Sequence, residues 1–569
     1  MAMASLGGND TIALDGARKA RGNMTQSRIR VSIVLLLAVF GVVAGRLIQL
    51  GNETVDTTIE GQSRAALTAT RPPILDRNGL EMAVDIKVPS LYAEPRRIID
   101  VDEAVEKLTS VMPDLDRQWL RNKLTGDKGF VWIKRELSPA MEEKILHLGI
   151  PGIDFITESK RFYPGGPTAS HVLGSVNVDN QGIAGIEKYM DSEDVGVLQA
   201  VGLARGRALE PVNLSIDMRV QNVMRDQLED ALTRYKAIAA SGVMLDVHTG
   251  EVLALVSLPD FDPNEPATAL KAGRLNAITA GKFELGSVFK TMTIAGALES
   301  GKVKLTDSFD ARFGVKFGRY TITDFHGKHR ILTVPEVYKY SSNVGAIHIM
   351  QAYGKEAYRA FLHKMGFDGA PQIELPERTE SNIPQTFSDV TAATAAFGHG
   401  ISVTPMQMAV AISALVNGGT FIPATLFERT PQQALAVSHP VVSEATSERM
   451  RYLMRLNATD GSGSLGDKLA RGYRMGGKTG TAEKVENGRY AANKNRNVFA
   501  SAFPMEAPKY AMVILVDEPK RENDHSGDTA GWNAGEVTGR IIARVAPMLG
   551  IAPNLDPALD SELVPPELR

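Results

Sequence analysis

The sequence contains no cysteine in 569 residues, which excludes disulfide bonds, thiolate nucleophiles and zinc sites built on sulfur. It also lacks an excess of charge of one sign, because 63 lysines and arginines stand against 66 aspartates and glutamates. Nucleic-acid binding normally leaves a basic surplus, so that function class is not favoured. No internal repeat is present. The remaining composition, 43% hydrophobic and 23% charged, is that of a globular chain long enough for roughly three or four domains.

Residues 31–50 have the length and apolar character of a membrane-spanning helix, which needs about 20 residues. Charged residues flank this stretch asymmetrically, with basic ones before it and acidic ones after it: Arg18, Lys19, Arg21, Arg28 and Arg30, then Glu53, Asp56 and Glu60. By the positive-inside rule, we expect residues 1–30 to be a cytoplasmic tail and everything after residue 50 to lie outside the inner membrane. The alternative is a cleaved signal peptide ending near Val42 and Ala44, although its basic segment would be unusually long. Either topology exports the body of the chain.

The exported part divides by its sequence pattern. Residues 51–215 mix short β-like and helical stretches with many turn signals, and we expect an elongated module without the catalytic core. From residue 216 the pattern changes to strand–turn–strand pairs and amphipathic helices: strands at 242–245, 252–256, 498–503 and 511–516, and helices at 217–232, 288–300 and 405–416. Antiparallel hairpins with helices grouped between them predict an α+β domain over residues 216–551, an antiparallel sheet flanked by helices. Residues 552–569, rich in proline and acidic residues, are predicted to be a flexible tail.

The first candidate catalytic motif is Ser287-Val288-Phe289-Lys290, at the start of a predicted helix. A spacing of three places Lys290 on the same helix face as Ser287. A serine hydroxyl becomes a nucleophile when a neighbouring base takes its proton, and a lysine can be that base if its pKa is lowered. Alone the pattern is common on surface helices, so it needs support from elsewhere in the chain.

The second candidate motif is Ser341-Ser342-Asn343. Ser341 could relay a proton to a leaving group, and the amide of Asn343 could hold both the lysine and a substrate carbonyl. The alternative is a simple helix cap or turn, because serine and asparagine favour such positions.

The third candidate motif runs Gly-Gly-Lys-Thr-Gly-Thr from Gly476 to Thr481. Its glycines would let a substrate backbone approach a strand edge, and Lys478 would supply a second positive charge that lowers the pKa of the first lysine. A phosphate loop is the rival, because Gly472 stands at the spacing that such a loop requires before Gly477-Lys478-Thr479. That motif should run from a strand into a helix, whereas the residues after Thr481 favour a strand and a turn.

Ser-x-x-Lys, a Ser-x-Asn element and Lys-Thr-Gly in this order are the signature of penicillin-binding proteins and related β-lactamases. The chain resembles the class B penicillin-binding proteins, most closely the septal D,D-transpeptidases of Gram-negative bacteria. The resemblance extends from the anchor to about Gly550 and includes blocks outside the three motifs: residues 71–79, 161–164, 171–174 and 185–187 in the pedestal, and 283–290, 332–337 and 398–405 in the catalytic domain. It implies a penicillin-binding protein dimerisation-type pedestal and a β-lactamase-like transpeptidase domain.

The resemblance also implies roles for the first two motifs. Ser287 would attack the D-Ala-D-Ala carbonyl of a stem peptide, and Lys290 would be its general base. Ser341 would pass a proton to the departing D-alanine, while Asn343 would steady Lys290 and the substrate amide.

In the third motif, the resemblance implies that Lys478 sets the electrostatics of the site and that Thr479, Gly480 and Thr481 bind substrate. The backbone N–H groups of Ser287 and Thr481 would form the oxyanion hole, where losing one donor typically costs about 10²–10³ in rate. No metal or cofactor is implied. The implied partners are β-lactams as covalent inhibitors, a membrane-embedded glycan polymerase and other division proteins.

Three alternatives share these motifs or this architecture. A D,D-carboxypeptidase or β-lactamase would pass the acyl group to water, and an elongation-type transpeptidase would act in the side wall. A non-catalytic division scaffold would carry a vestigial site, but the intact Ser287, Lys290 and Lys478 argue against this.

The scattered histidines lack the spacing of metal ligands and are interpreted as structural: His171, His326, His348 and His399.

Overall fold

The computed structural model describes residues 33–41, 43–44, 70–192, 210–318, 320–486 and 489–569. Residues 33–41 and 43–44 of the predicted membrane anchor (31–50) lie within these ranges and are helical, and the rest of the anchor lies outside the described residues. None of the helices described in these ranges is both long enough and apolar enough to cross a membrane.

The N-terminal module is built on one long strand. The strands described between residues 70 and 213 are β1 (Ile74–Leu75), β2 (Glu81–Ala93), β3 (Val131–Lys134), β4 (Ile153–Phe162), β5 (Ser175–Val176), β6 (Gly182–Ala184) and β7 (Val212–Asn213). The helices there are α1 (Val101–Val111), α2 (Arg117–Leu124), α3 (Pro139–Leu146), α4 (Ser170–Leu173) and α5 (Gly185–Ser192). Strand β2 pairs antiparallel with β1, β3 and β4, and β7 adds to β1 in parallel.

Three sequence blocks of the module that lie far apart in the chain converge on one buried carboxylate. Glu187 is fully buried and accepts hydrogen bonds from Arg71 Nε at 2.7 Å and from Arg161 Nε at 2.6 Å. The two arginines have further acidic partners, Asp191 for Arg71 and Asp85 for Arg161. Buried charges are tolerated only when they are paired and hydrogen-bonded, so this cluster fixes the relative positions of the three blocks.

The C-terminal domain carries the strands and helices predicted for it. Its strands are β8 (Ala239–Asp246), β9 (Val252–Leu258), β10 (Ser308–Asp310), β11 (Val315–Phe317), β12 (Tyr320–Ile322), β13 (Ile331–Thr333), β14 (Thr420–Phe421), β15 (His439–Pro440), β16 (Gly476–Glu486), β17 (Arg489–Phe503) and β18 (Tyr510–Asp517). Its helices are α6 (Met218–Arg234), α7 (Lys290–Glu299), α8 (Val334–Lys339), α9 (Asn343–Tyr353), α10 (Lys355–Lys364), α11 (Asp389–Ala395), α12 (Pro405–Val416), α13 (Pro431–Ala436), α14 (Glu444–Asp460), α15 (Ser464–Leu469), α16 (Ala534–Met548) and α17 (Ala558–Glu562).

The main sheet of this domain is antiparallel, in the order β16-β17-β18-β8-β9, and helices cover both of its faces. Because side chains alternate along a strand, Val243 and Val513 join one core with α12, while Met244 and Ile514 join another with α6 and α16. This confirms the predicted α+β domain with an antiparallel sheet flanked by helices. Within the described residues, β16 lies at an edge of the sheet.

The C-terminal segment differs from the flexible tail expected at 552–569. It forms the short helix α17, and Asp560 within it pairs with the guanidinium groups of Arg455 and Arg474. Leu563 and Leu568 pack against the hydrophobic core. The acidic composition that suggested disorder therefore supplies partners for buried arginines instead.

Candidate active site

Ser287 lies in a 3-10 turn, Gly286–Phe289, that leads directly into α7 at Lys290. The three-residue spacing puts both side chains on one face, as predicted, and Lys290 Nζ lies 2.9 Å from Ser287 Oγ. Residues Lys290 to Leu298 of α7 are all buried, whereas Ser287 is only half-buried. A hydroxyl open to the surface thus sits against a fully buried amine.

The amine of Lys290 has other oxygen neighbours on the second motif. Nζ lies 2.5 Å from Ser341 O, 3.1 Å from Ser341 Oγ and 2.7 Å from Asn343 Oδ1. Burial and the nearby charge of Lys478 lower the pKa of Lys290 well below its ordinary value, with the carboxylate of Asp324 acting in the opposite direction. A neutral amine keeps two N–H donors for Ser341 O and Asn343 Oδ1 and a lone pair that can accept the Ser287 proton.

The second motif begins α9; its middle side chain caps the helix, and the side chains on either side of it contact Lys290. Ser342 is the N-cap, and its hydroxyl accepts from Gly345 N at 2.9 Å, so the helix-cap alternative describes this residue. Ser341 on one side of it has a positive φ of 57°, which is uncommon for a residue other than glycine. Ser341 and Asn343 are thereby both turned to Lys290, and the motif serves as cap and as site.

Asp324, which precedes this motif in a loop after β12, was not identified from the sequence. Its carboxylate accepts from Ser342 Oγ at 2.7 Å, from Asn343 N at 2.5 Å and from Val344 N at 3.0 Å. It therefore holds the start of α9, the favourable end of a helix for a negative charge. Its isolated position in an irregular loop gives no sequence pattern that could have identified it.

Lys478 enters the site from the edge strand β16. Its Nζ lies 3.0 Å from Ser341 Oγ and 3.2 Å from Thr479 O, and the side chain is fully buried. Burial lowers the pKa of Lys478 from 10.5 to about 7. The strand continues to Glu486 and does not lead into a helix, so the phosphate-loop alternative is wrong.

The other residues of the third motif do not all face the two lysines. The hydroxyl of Thr479 lies 2.5 Å from Ser462 Oγ, and that of Thr481 accepts from Ala530 N at 3.3 Å. At Gly480 a Cβ would stand 2.1 Å from Leu285 O, so the backbone before Ser287 fills the space that a side chain would occupy. The missing side chain thus serves close packing of β16 on the 3-10 turn.

The same close packing surrounds Gly286, which has a φ of +54°. A Cβ there would lie 2.7 Å from Thr481 O and 3.4 Å from Thr481 N. The backbone of Thr481 is therefore adjacent to that of Gly286, the residue directly before Ser287.

In the described part of the chain, no group of three or more His, Asp or Glu side chains is placed to hold a metal ion. His171 packs edge-on against Phe261, and His399 lies near Tyr490 and Phe397. The side chains that do come together are the Ser287 hydroxyl, the buried amine of Lys290 beside it, and the Ser341 hydroxyl between the amines of Lys290 and Lys478.

Residues 240–542, more than half of the chain, match the penicillin binding protein transpeptidase domain, and residues 66–197 match the penicillin-binding protein dimerisation domain. The chain belongs to the class B penicillin-binding proteins. A probable peptidoglycan D,D-transpeptidase FtsI of Caulobacter vibrioides is 35% identical to this penicillin-binding protein, covering 84% of this chain and 82% of its own.

A probable peptidoglycan D,D-transpeptidase PenA of Neisseria gonorrhoeae is 30% identical, with 89% and 91% of the two chains covered. The peptidoglycan D,D-transpeptidase FtsI of Escherichia coli K12 is 29% identical, with 81% of each covered. A solved peptidoglycan synthetase from Bifidobacterium adolescentis superposes with a TM-score of 0.65 at 22% identity, over 86% of this chain and 97% of that one, and shows the shared fold. The predicted family, with its pedestal and transpeptidase domain, is confirmed.

Proposed function

We propose that this penicillin-binding protein is a serine D,D-transpeptidase that cross-links peptidoglycan stem peptides at the division septum. The observation that carries the proposal is the contact of a half-buried serine, Ser287, with the buried amine of Lys290 at 2.9 Å. The transpeptidase domain match and the D,D-transpeptidase relatives support the same activity.

Acylation starts when the neutral amine of Lys290 takes the Ser287 proton. The serine oxygen then forms a bond to the carbonyl carbon of the penultimate D-alanine, and the negative oxygen of the tetrahedral intermediate is held by the N–H groups of Ser287 and Thr481. Collapse breaks the C–N bond, and Ser341 passes the proton from Lys290 to the departing D-alanine amine. The Ser341 hydroxyl suits this relay because it lies 3.1 Å from Lys290 Nζ and 3.0 Å from Lys478 Nζ.

The second half of the reaction reverses these roles. The amine of a neighbouring stem peptide attacks the ester carbon, and its proton passes to Lys290. The ester bond then breaks, and Lys290 returns the proton to the oxygen of Ser287, which regenerates both residues. A β-lactam would open on Ser287 in the first step and remain bound as an ester that leaves slowly. Asn343 accepts one N–H of Lys290 and orients it throughout.

Strand β16 would bind the donor peptide along its free edge, since an extended peptide can add to such an edge. Lys478 and Thr481 of the third motif would bind the terminal carboxylate of the donor peptide. The hydroxyl of Thr479 contacts Ser462 Oγ, and Leu285 O fills the space that a side chain at Gly480 would occupy. We therefore assign both residues to shaping the strand.

The septal assignment and the location complete the proposal. Residues 332–337, before the second motif, resemble the septal branch of the family. Residues 31–50 would anchor the chain in the inner membrane, with residues 1–30 cytoplasmic and the pedestal (51–215) and transpeptidase domain (216–551) periplasmic. The anchor and pedestal would meet a membrane-embedded glycan polymerase and other division proteins.

The central test is labelling of the purified protein with a fluorescent penicillin. Wild type should form a covalent adduct, and Ser287→Ala should form none, whereas Ser300→Ala at the other end of α7 should label normally. An adduct on another residue would overturn the assignment. Supplying an acceptor amine then separates transpeptidation from carboxypeptidation, in which water takes the acyl group. Depletion in cells should give filaments, whereas round cells would indicate a side-wall role.

A further inference from the structure

The C-terminal segment packs on the residues that lead into β16. Asn554 N donates to Gly472 O at 2.7 Å, and a Cβ on Gly472 would stand 2.9 Å from Pro553 Cβ. The C-terminal segment therefore packs closely on Gly472, which precedes Lys478 by only a few residues in the chain.

Asp560 in this segment forms hydrogen bonds with two arginines, Arg455 on helix α14 and Arg474 just before strand β16. Its Oδ1 accepts from Arg455 Nε at 2.7 Å and from Arg474 Nη2 at 2.8 Å, and its Oδ2 accepts from Arg455 Nη2 at 3.3 Å. Arg455 is 8% exposed and Arg474 is 4% exposed. Charge-assisted bonds to two nitrogens of one guanidinium are directional, so the partly exposed carboxylate of Asp560 helps to fix the plane of the Arg455 guanidinium.

Arg455 continues the connection to the backbone of the catalytic strand. Its Nη1 donates to Met475 O at 2.8 Å, in buried surroundings, and the next inward side chain of α14, Asn457, donates to Gly477 O at 2.8 Å. Gly477 directly precedes Lys478, and Met475 lies two residues before Gly477. Helix α14 thus holds the start of β16 from the side, and Arg455 is itself held by Asp560 and Asp467.

We propose that Asp560 is a positioning residue of the transpeptidase reaction, which keeps Lys478 in register with Ser341 by orienting Arg455 against Met475. The proposal rests on the function proposed above for Ser287 and Lys478. The bond from Lys478 Nζ to Ser341 Oγ measures 3.0 Å, so a small displacement of the strand removes it. A misplacement of about 1 Å caused by a distant substitution can cost about 10²-fold in rate.

The variant Asp560→Asn tests the proposal because it keeps the size of the side chain and removes its charge. Asp467 still pairs with Arg455, and Glu506 with Arg474, so neither arginine is left without a carboxylate. Glu567→Gln is the matched control: Glu567 lies in the same segment and pairs with Arg449 of the same helix, nearer its beginning. The measurement is the acylation rate by fluorescent penicillin over a range of concentrations, which separates initial binding from covalent attack, with the melting temperature of each variant.

Asp560→Asn should lower the covalent rate about 10-fold with little change in initial binding, while Glu567→Gln leaves both unchanged. Asp560→Glu should restore most of the rate. Arg455→Lys, which cannot bridge a carboxylate and a carbonyl in the same plane, should slow acylation, and combining it with Asp560→Asn should add little. An unchanged rate in Asp560→Asn, equal losses in Glu567→Gln, or a fully additive double variant would each overturn the proposal. Absence of labelling in wild type would instead refute the proposed function.

Discussion

Lys290 and Lys478 contact the same hydroxyl oxygen, that of Ser341, at Nζ–Oγ distances of 3.1 and 3.0 Å. Both side chains are fully buried, so two ammonium groups could not lie this close without a large electrostatic cost. The lower pKa of Lys290 follows first from burial and second from this proximity to Lys478. The site therefore favours a neutral Lys290 by burying its amine and by placing a second lysine on the other side of a shared serine.

Replacing Lys290 by arginine should abolish acylation although the positive charge remains. A guanidinium does not lose its proton in a protein, so it cannot accept one from Ser287. We expect the rate of penicillin acylation to fall by more than about 10³-fold, in line with the loss of a general base that activates a nucleophile. Wild type should also lose acylation as the pH falls through the lowered pKa of Lys290. Residual activity of the arginine variant at high pH would contradict the assignment of Lys290 as the base.

Replacing Lys478 by methionine should stabilise the protein at neutral pH while it destroys activity. The pKa of Lys478 is about 7 in the folded chain and 10.5 ordinarily, so between these values the unfolded chain binds a proton that the folded chain does not. Wild-type stability therefore rises with pH across this window. The variant should gain up to roughly 4 kcal/mol near pH 7, and the gain should vanish towards pH 10.5.

Melting temperatures at pH 7 and pH 10 measure this effect. Lys188→Met, at an exposed position, is the control and should show no such pH-dependent gain. A Lys478→Met variant that melts below wild type at pH 7 would show that burial of this amine is not a cost to the fold.

Replacing Asp324 by asparagine should move the acid limb of the acylation profile to lower pH. The carboxylate raises the pKa of Lys290 against the effects of burial and Lys478, so its removal lowers that pKa further. Lys290 then stays neutral at a lower pH. Asp310→Asn, whose carboxylate pairs with Arg312 on the surface, should leave the limb in place. A shift to higher pH in the Asp324 variant would refute this electrostatic role.

The proximity of Ser287 to Lys290 could be predicted from the sequence, whereas the contacts of Asp324 and Asp560 could not, for physical reasons. Ser287 and Lys290 are joined by the geometry of one helical turn, and the strand pairs around residues 242–256 and 498–516 follow from local alternation. Asp324 and Asp560 act through contacts between distant parts of the chain, which no local spacing encodes. The composition of the C-terminal segment suggested disorder because its arginine partners lie far away in sequence.

Replacing Glu187 by glutamine should destabilise the pedestal without altering the chemistry. The variant leaves Arg71 and Arg161 buried with one carboxylate fewer, and breaking a buried ion pair typically costs about 3–5 kcal/mol. Chemical denaturation should report this loss, and Glu143→Gln at an exposed position should stay within about 0.5 kcal/mol of wild type. At temperatures where the variant is folded its acylation rate should match wild type, and a selective loss of rate would instead connect this cluster to the active site.

Replacing Gly480 by alanine tests whether this glycine is needed for the packing of β16 on the turn that carries Ser287 or for the approach of the substrate. A Cβ would lie 2.1 Å from Leu285 O, a backbone atom that cannot move without shifting the turn that carries Ser287. We therefore expect the covalent rate to fall by about 10²-fold and the stability by roughly 1–3 kcal/mol, because Lys478 and Ser287 are pushed apart. If the glycine served only the approach of the substrate, initial binding would weaken while stability stayed unchanged.

Gly129→Ala is the control for the added methyl group, since its nearest neighbours are Arg96 side-chain atoms at 3.7 Å. It should match wild type in both measurements. A Gly480→Ala variant with wild-type stability and weakened binding would return this residue to the substrate-binding role expected from the sequence. Loss of stability together with the covalent rate would instead mean that the edge strand and the turn that carries Ser287 form one packed unit, whose packing sets the position of Lys478 relative to Ser287.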